Sequence, residues 1–282
     1  MTINSPKLFQ FFKYVVYTLL AFNVFVFWRE EFLAAVLQFP NGVEISHIIA
    51  SFPATIDTAA WLVLLLMFEL ETYVLEDHDY SPRVTWSLQG VRVFCYGFIV
   101  YAFYGYVAKL GFIYDATPLA NVSDLCALVT DGWSYAVDLD EYVELTAANC
   151  AALSDAGAFF RFDAMPAVVD LSGLNDIRHL AWVDVINAGV WLLVVLVLEV
   201  DVRLQEKNRY EGLALRLSYA TKYVLYSLLL LAAIYWGIKG DFVDFWDAFL
   251  WLVAFVFIEL NVFEWRQEVK DEQQKAAAGL TS

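Results

Sequence analysis

The chain has 282 residues, 61% of them hydrophobic and 18% charged, and its mean hydropathy is +0.57. Soluble domains are about half apolar and a quarter charged, so this composition points to a membrane protein. Seventeen basic against 33 acidic residues leave a net charge of -16, which excludes a basic nucleic-acid binder and argues against adhesion to anionic lipid through a basic patch.

Six stretches carry the ~20 apolar residues that a helix needs to cross a ~30 Å hydrocarbon core: 10–28, 53–75, 88–112, 180–202, 215–238 and 242–265. Lipid offers no partner for an open backbone amide, so each must be helical. The predicted fold is an all-α integral membrane protein with six transmembrane helices. Trp28-Arg29-Glu30-Glu31 follows the first stretch where a cleaved leader would have small residues, so this stretch reads as a signal anchor or first span.

Six spans put both termini on one side. Twelve lysines and arginines fall on that side and five on the other, so both termini are predicted to be cytoplasmic, in the plasma (inner) membrane. Sorted the same way, the acids leave a charge of about -2 inside and -14 outside. Much of the outer acidity lies in the connection 113–178, with eleven acids and two arginines. That connection also holds Trp133, Tyr135, Tyr142, Phe159 and Phe160, too many aromatics for a disordered acidic tail. A small, partly helical extracytoplasmic cap is expected. Cys126 and Cys150 both lie in it, on the oxidising side, and are expected to form a disulfide. Cys95 sits alone in the third span.

The second, fourth and sixth spans share a pattern. They read Asp57, Trp61, Glu69, Glu71; then Asn187, Trp191, Glu199, Asp201; then Asp247, Trp251, Glu259, Asn261. The odd spans each carry a base near the cytoplasmic end with a tyrosine four positions on: Lys13 and Tyr17, Arg92 and Tyr96, Lys222 and Tyr226. This predicts three parallel two-helix hairpins about a pseudo-threefold axis along the membrane normal. The first repeat occupies 1–79, the second 80–112 and 179–206, and the third 207–266, with a cytoplasmic tail at 267–282.

At about 100° per residue, the second acid of each pair shares a helix face with the Asp or Asn fourteen residues earlier. Asp57, Glu71, Asn187, Asp201, Asp247 and Asn261, extended outward by Asp184 and Asp244, therefore form polar stripes that can line an ion pathway. Trp61, Trp191 and Trp251 lie between the polar ends of these stripes, as packing or as a gate. The remaining acids are expected to pair with the bases of their own hairpins: Lys13 with Glu69, Arg92 with Glu199, and Lys222 with Glu259.

The three histidines have no metal-ligand spacing, and no phosphate loop, nucleophile elbow or paired redox cysteine occurs. No metal, cofactor or enzymatic activity is predicted. Two functions fit. The first is passive or gated handling of a monovalent cation or proton, drawn by the acidic outer face. The second is a rigid, non-catalytic subunit or scaffold that packs with a membrane-protein partner or with copies of itself.

Overall fold

The computed structural model describes residues 5–39, 42–45, 48–73, 75, 81–120, 122–162, 165–206 and 212–256. Five of the described helices are long and apolar enough to cross a membrane, and the chain is a multi-pass membrane protein on that ground. They are α1 (Ser5–Gln38), α3 (Pro53–Tyr73), α4 (Pro82–Tyr114), α6 (Leu171–Glu206) and α7 (Leu213–Lys239). The short α2 (Ile48–Ser51) precedes α3. The sixth apolar stretch is helical from 242 to 256, here α8, and the rest of it lies outside the described residues, as does the tail.

The chain divides into two compact units, Met1–Phe22 with Leu229–Ser282, and Asn23–Leu228. In the first, the α7–α8 turn is written locally. Gly240 adopts φ 91°, and the amides of Gly240 and Asp241 both donate to the Trp236 carbonyl at 3.0 and 3.1 Å, closing the helix through a left-handed residue. Asp241 then accepts from the Asp244 amide at 3.4 Å and so caps α8. Gly237 lets the Phe245 ring approach, since a Cβ there would stand 3.3 Å from it. Val16, Leu20, Leu229, Ala233, Trp236, Leu250 and Ala254 are buried in this unit.

In the second unit, Ser81 accepts from the Val84 amide at 3.3 Å and Pro82 opens α4. Both are ordinary start signals. Small residues let the helices approach. A Cβ on Gly105 would lie 2.5 Å from the Ile49 carbonyl oxygen, so α2 rests directly on the α4 backbone. Gly189 of α6 similarly receives Phe103 of α4.

The connection between α4 and α6 differs most from expectation. It carries short helical pieces, a 3-10 turn at Leu125–Asp131 and α5 at Cys150–Leu153, but a five-stranded sheet organises it. The strands are β1 (Thr117–Pro118), β2 (Ser134–Ala136), β3 (Tyr142–Glu144), β4 (Phe159–Arg161) and β5 (Ala167–Asp170), in the order β1-β4-β5-β2-β3. Among the described strands only β2 and β5 pair in parallel, with Tyr135 opposite Val168. Leu125, Leu128, Leu145, Phe159 and Val168 form its core. Cys126 and Cys150 are joined in a disulfide with a Cα separation of 4.9 Å, which ties the 3-10 turn to α5. Strands of two to four residues are too short to show the alternation that reveals a strand in sequence.

The helices also run beyond their apolar windows. Asp170 accepts from the Gly173 amide at 2.6 Å, so α6 starts at residue 171, directly off β5, about nine residues before the hydropathy rises. The cap residue and not the apolar run sets that boundary.

Candidate functional site

Polar side chains gather at two levels of the second unit. At one level, acids at the end of a helix meet bases of the next. Arg92 of α4 donates through Nη2 to both oxygens of Glu71 on α3, at 2.9 and 2.7 Å. Lys222 of α7 reaches Asp201 Oδ2 of α6 at 3.0 Å, and Ser218 Oγ, one turn away on the same face, donates to that oxygen at 2.7 Å. Glu199 takes Arg203, one turn along its own helix, at 2.9 Å. The base of one hairpin thus pairs with the last acid of the preceding hairpin. This departs from the expected pairing of Arg92 with Glu199, whereas the expected partner of Lys222, Glu259, falls outside the described residues.

The reason is proximity along the chain. A short connection returns α4 beside the end of α3, and α7 beside the end of α6, so these ends are neighbours whatever the axial pattern. The two pairs differ in depth. Arg92 and Glu71 keep 34% and 24% of their side-chain surface, against 7% and 3% for Lys222 and Asp201. Lys13 and Glu69 are both buried, in different units. Glu259 and Asn261 lie outside the described residues.

At the other level, beneath the sheet, the structure assembles a cluster of which the sequence pattern had singled out only Asp184. The Glu31 carboxylate of α1 accepts from the Ala54 amide at 2.8 Å, the Thr55 amide at 3.1 Å and the Thr55 hydroxyl at 2.5 Å. These amides belong to the first turn of α3, where donors have no intrahelical partner and a negative charge is favoured by the helix dipole. Lys109 of α4 forms an ion pair with Asp140, in the turn between β2 and β3. Asp140 and Lys109 both act electrostatically on Glu31, and Asp184 of α6 acts on Lys109. Three acids therefore lie within electrostatic reach of one base, Lys109, which is in contact with Asp140. A signal was present: Phe52 precedes Pro53 where a capping Ser, Thr, Asp or Asn is usual, so α3 needed a cap from elsewhere.

Between the two levels, Trp61 and Trp191 pack on each other with ring centroids 6.1 Å apart, each less than a tenth exposed. Trp251 is buried in the first unit, 6.5 Å from Phe255. Asp57, Asp184, Asn187, Asp244 and Asp247 are half-buried. Asn187 Oδ1 is shielded from solvent and accepts no hydrogen bond from a described residue. Among the described residues no three His, Cys, Asp or Glu side chains are grouped to hold a metal ion. Outside the spans, burial and then the Asp170 carboxylate push the Tyr135 phenol above its ordinary pKa.

Chemically, the pairs at the first level are clasps. A carboxylate neutralised by a base of the neighbouring helix binds a passing cation weakly, but it holds two helices in register. Comparison with models of known families, with curated proteins and with solved structures finds no match.

Proposed function

We propose that the protein is a rigid, non-catalytic membrane subunit that carries its disulfide-tied sheet domain for a membrane-protein partner or for further copies of itself. The observation that carries this reading is the fate of Glu71 and Asp201. These two of the six acids of the predicted pathway are engaged by bases of the next helix, at 2.7 and 3.0 Å, and Trp61 and Trp191 pack on each other between the levels. In the same reading the chain has six spans as three hairpin repeats, cytoplasmic termini and a sheet domain outside the cell membrane. The disulfide agrees with an oxidising side.

The test is flux. Purified protein in liposomes is expected to pass neither cations nor protons under a voltage or pH gradient, while Glu71→Gln and Asp201→Asn lower the melting temperature. Flux through the wild type that these two substitutions reduce would overturn the proposal.

One observation favours the second reading, a cation or proton pathway. Asn187 Oδ1 is a buried acceptor without a described donor, one turn beyond Asp184 on the same helix, and a hydrated ion or water can satisfy it. Under this reading Asn187→Leu reduces flux. Under the scaffold reading it changes stability alone.

A further inference from the structure

One base near the sheet, Arg178, has a side-chain donor that meets no acceptor among the described residues. The Arg178 guanidinium of α6 lies over the Tyr114 ring at the end of α4, 4.8 Å from its centroid. Its Nε is shielded from solvent and has no hydrogen-bond partner among the described residues, and no described residue forms an ion pair with it. A guanidinium offers five donors in a planar fork, and burying such donors unmet is costly. The Tyr114 ring holds one side of the guanidinium, and the side chain is only half-buried, so its terminal Nη donors, not the shielded Nε, are left for a ligand.

The surroundings say which ligand. Trp182, one turn beyond Arg178, donates from Nε1 to the Tyr114 hydroxyl at 3.1 Å, and both rings remain about half exposed, at 45% and 50%. Twenty-one residues separate Trp182 from Arg203 on α6, and twenty-two separate Arg92 from Tyr114 on α4. At 1.5 Å per residue both distances are about 32 Å, the thickness of a hydrocarbon core. Arg178, Tyr114 and Trp182 therefore stand at headgroup level, where amphipathic rings collect, one membrane thickness from the arginines of the other side. The sheet domain is strongly acidic and Lys109 is already paired with Asp140, so no diffuse positive field draws phosphate here. The contact has to be local.

We propose that Arg178, framed by Tyr114 and Trp182, binds the phosphodiester of a phospholipid headgroup. The planar fork suits phosphate oxygens better than an ammonium does. The site pins one lipid between α4 and α6, directly under the sheet.

Native mass spectrometry of the full chain in mild detergent, titrated with phosphatidylglycerol, tests this. One lipid per chain is expected on the wild type. Arg178→Gln should weaken its retention about tenfold or more, as expected for hydrogen bonds to a charged group. Arg178→Lys keeps the charge but loses the fork, should weaken retention about fivefold, and serves where the glutamine variant does not fold. Undiminished binding by Arg178→Lys overturns the proposal. So does equal binding of a phosphate-free galactolipid, which would reveal an apolar groove alone. Competition by inorganic phosphate as effective as that by phosphatidylglycerol also overturns it, since the site would then take a soluble anion.

Discussion

Lys222 Nζ lies 3.0 Å from Asp201 Oδ2, with both side chains all but sealed from solvent. A pair so deep gains little over an apolar pair, because desolvating the two charges offsets their attraction. Losing one partner is another matter, costing about 3–5 kcal/mol. Asp201→Asn and Lys222→Met are each expected to lower the melting temperature in detergent sharply. The double variant should recover much of the loss. Arg92 and Glu71 are a third to a quarter exposed, so Glu71→Gln should cost only about 1 kcal/mol. A double-mutant cycle on each pair measures the difference.

Gly105 meets the Ile49 carbonyl oxygen where a Cβ would stand 2.5 Å away. Backbone cannot rotate aside as a side chain can. Gly105→Ala is expected to push α2 off α4 and destabilise the fold by about 1–3 kcal/mol. Thermal unfolding of the purified variant checks this, and an unchanged melting temperature would contradict the close approach.

The Cys126–Cys150 bond closes a loop of 24 residues. In the chain-entropy model such a loop is worth about 3.5 kcal/mol. Reduction, or Cys126→Ser with Cys150→Ser, should loosen the sheet domain first. Amide exchange is expected to rise in Leu125–Asp131 and Cys150–Leu153 while protection persists in α4 and α6.

Tyr135 supplies a pH signature. Its phenol is held above the ordinary tyrosine pKa by burial first and by Asp170 second. The folded chain therefore keeps a proton that the unfolded chain releases, and stability falls as pH rises from about 10 through the raised value. Tyr135→Phe removes that part of the slope. Across the alkaline range the melting temperature of the wild type should fall relative to that of Tyr135→Phe.

Glu31 caps α3 from another helix, through two amides and one hydroxyl. Glu31→Ala leaves three donors without an acceptor and should cost about 2 kcal/mol or more. Glu31→Gln, which retains one acceptor oxygen, should cost less. The ordering of the two melting temperatures is the readout.

What the residues determine by themselves is whatever depends on neighbours along the chain. Apolar runs set the membrane helices, because length and hydropathy suffice for that. Gly240-Asp241 and Ser81-Pro82 set where α8 and α4 begin, because a cap bonds within its own turn. The pairing of Cys126 with Cys150 was legible because only two cysteines share the connection. Tertiary structure decided everything that joins distant segments. Strands as short as Thr117–Pro118 acquire identity only from partners more than forty residues away, at Phe160 and Arg161. Arg92 had acids at comparable depth on two helices, Glu71 and Glu199, and helix periodicity is blind to which helix stands beside which. Packing chose Glu71. The cap of α3 by Glu31 was indicated only by Phe52, a residue that cannot cap. A charge in a low-dielectric bundle is settled by whatever donor comes within 3 Å, and that distance belongs to the folded chain alone.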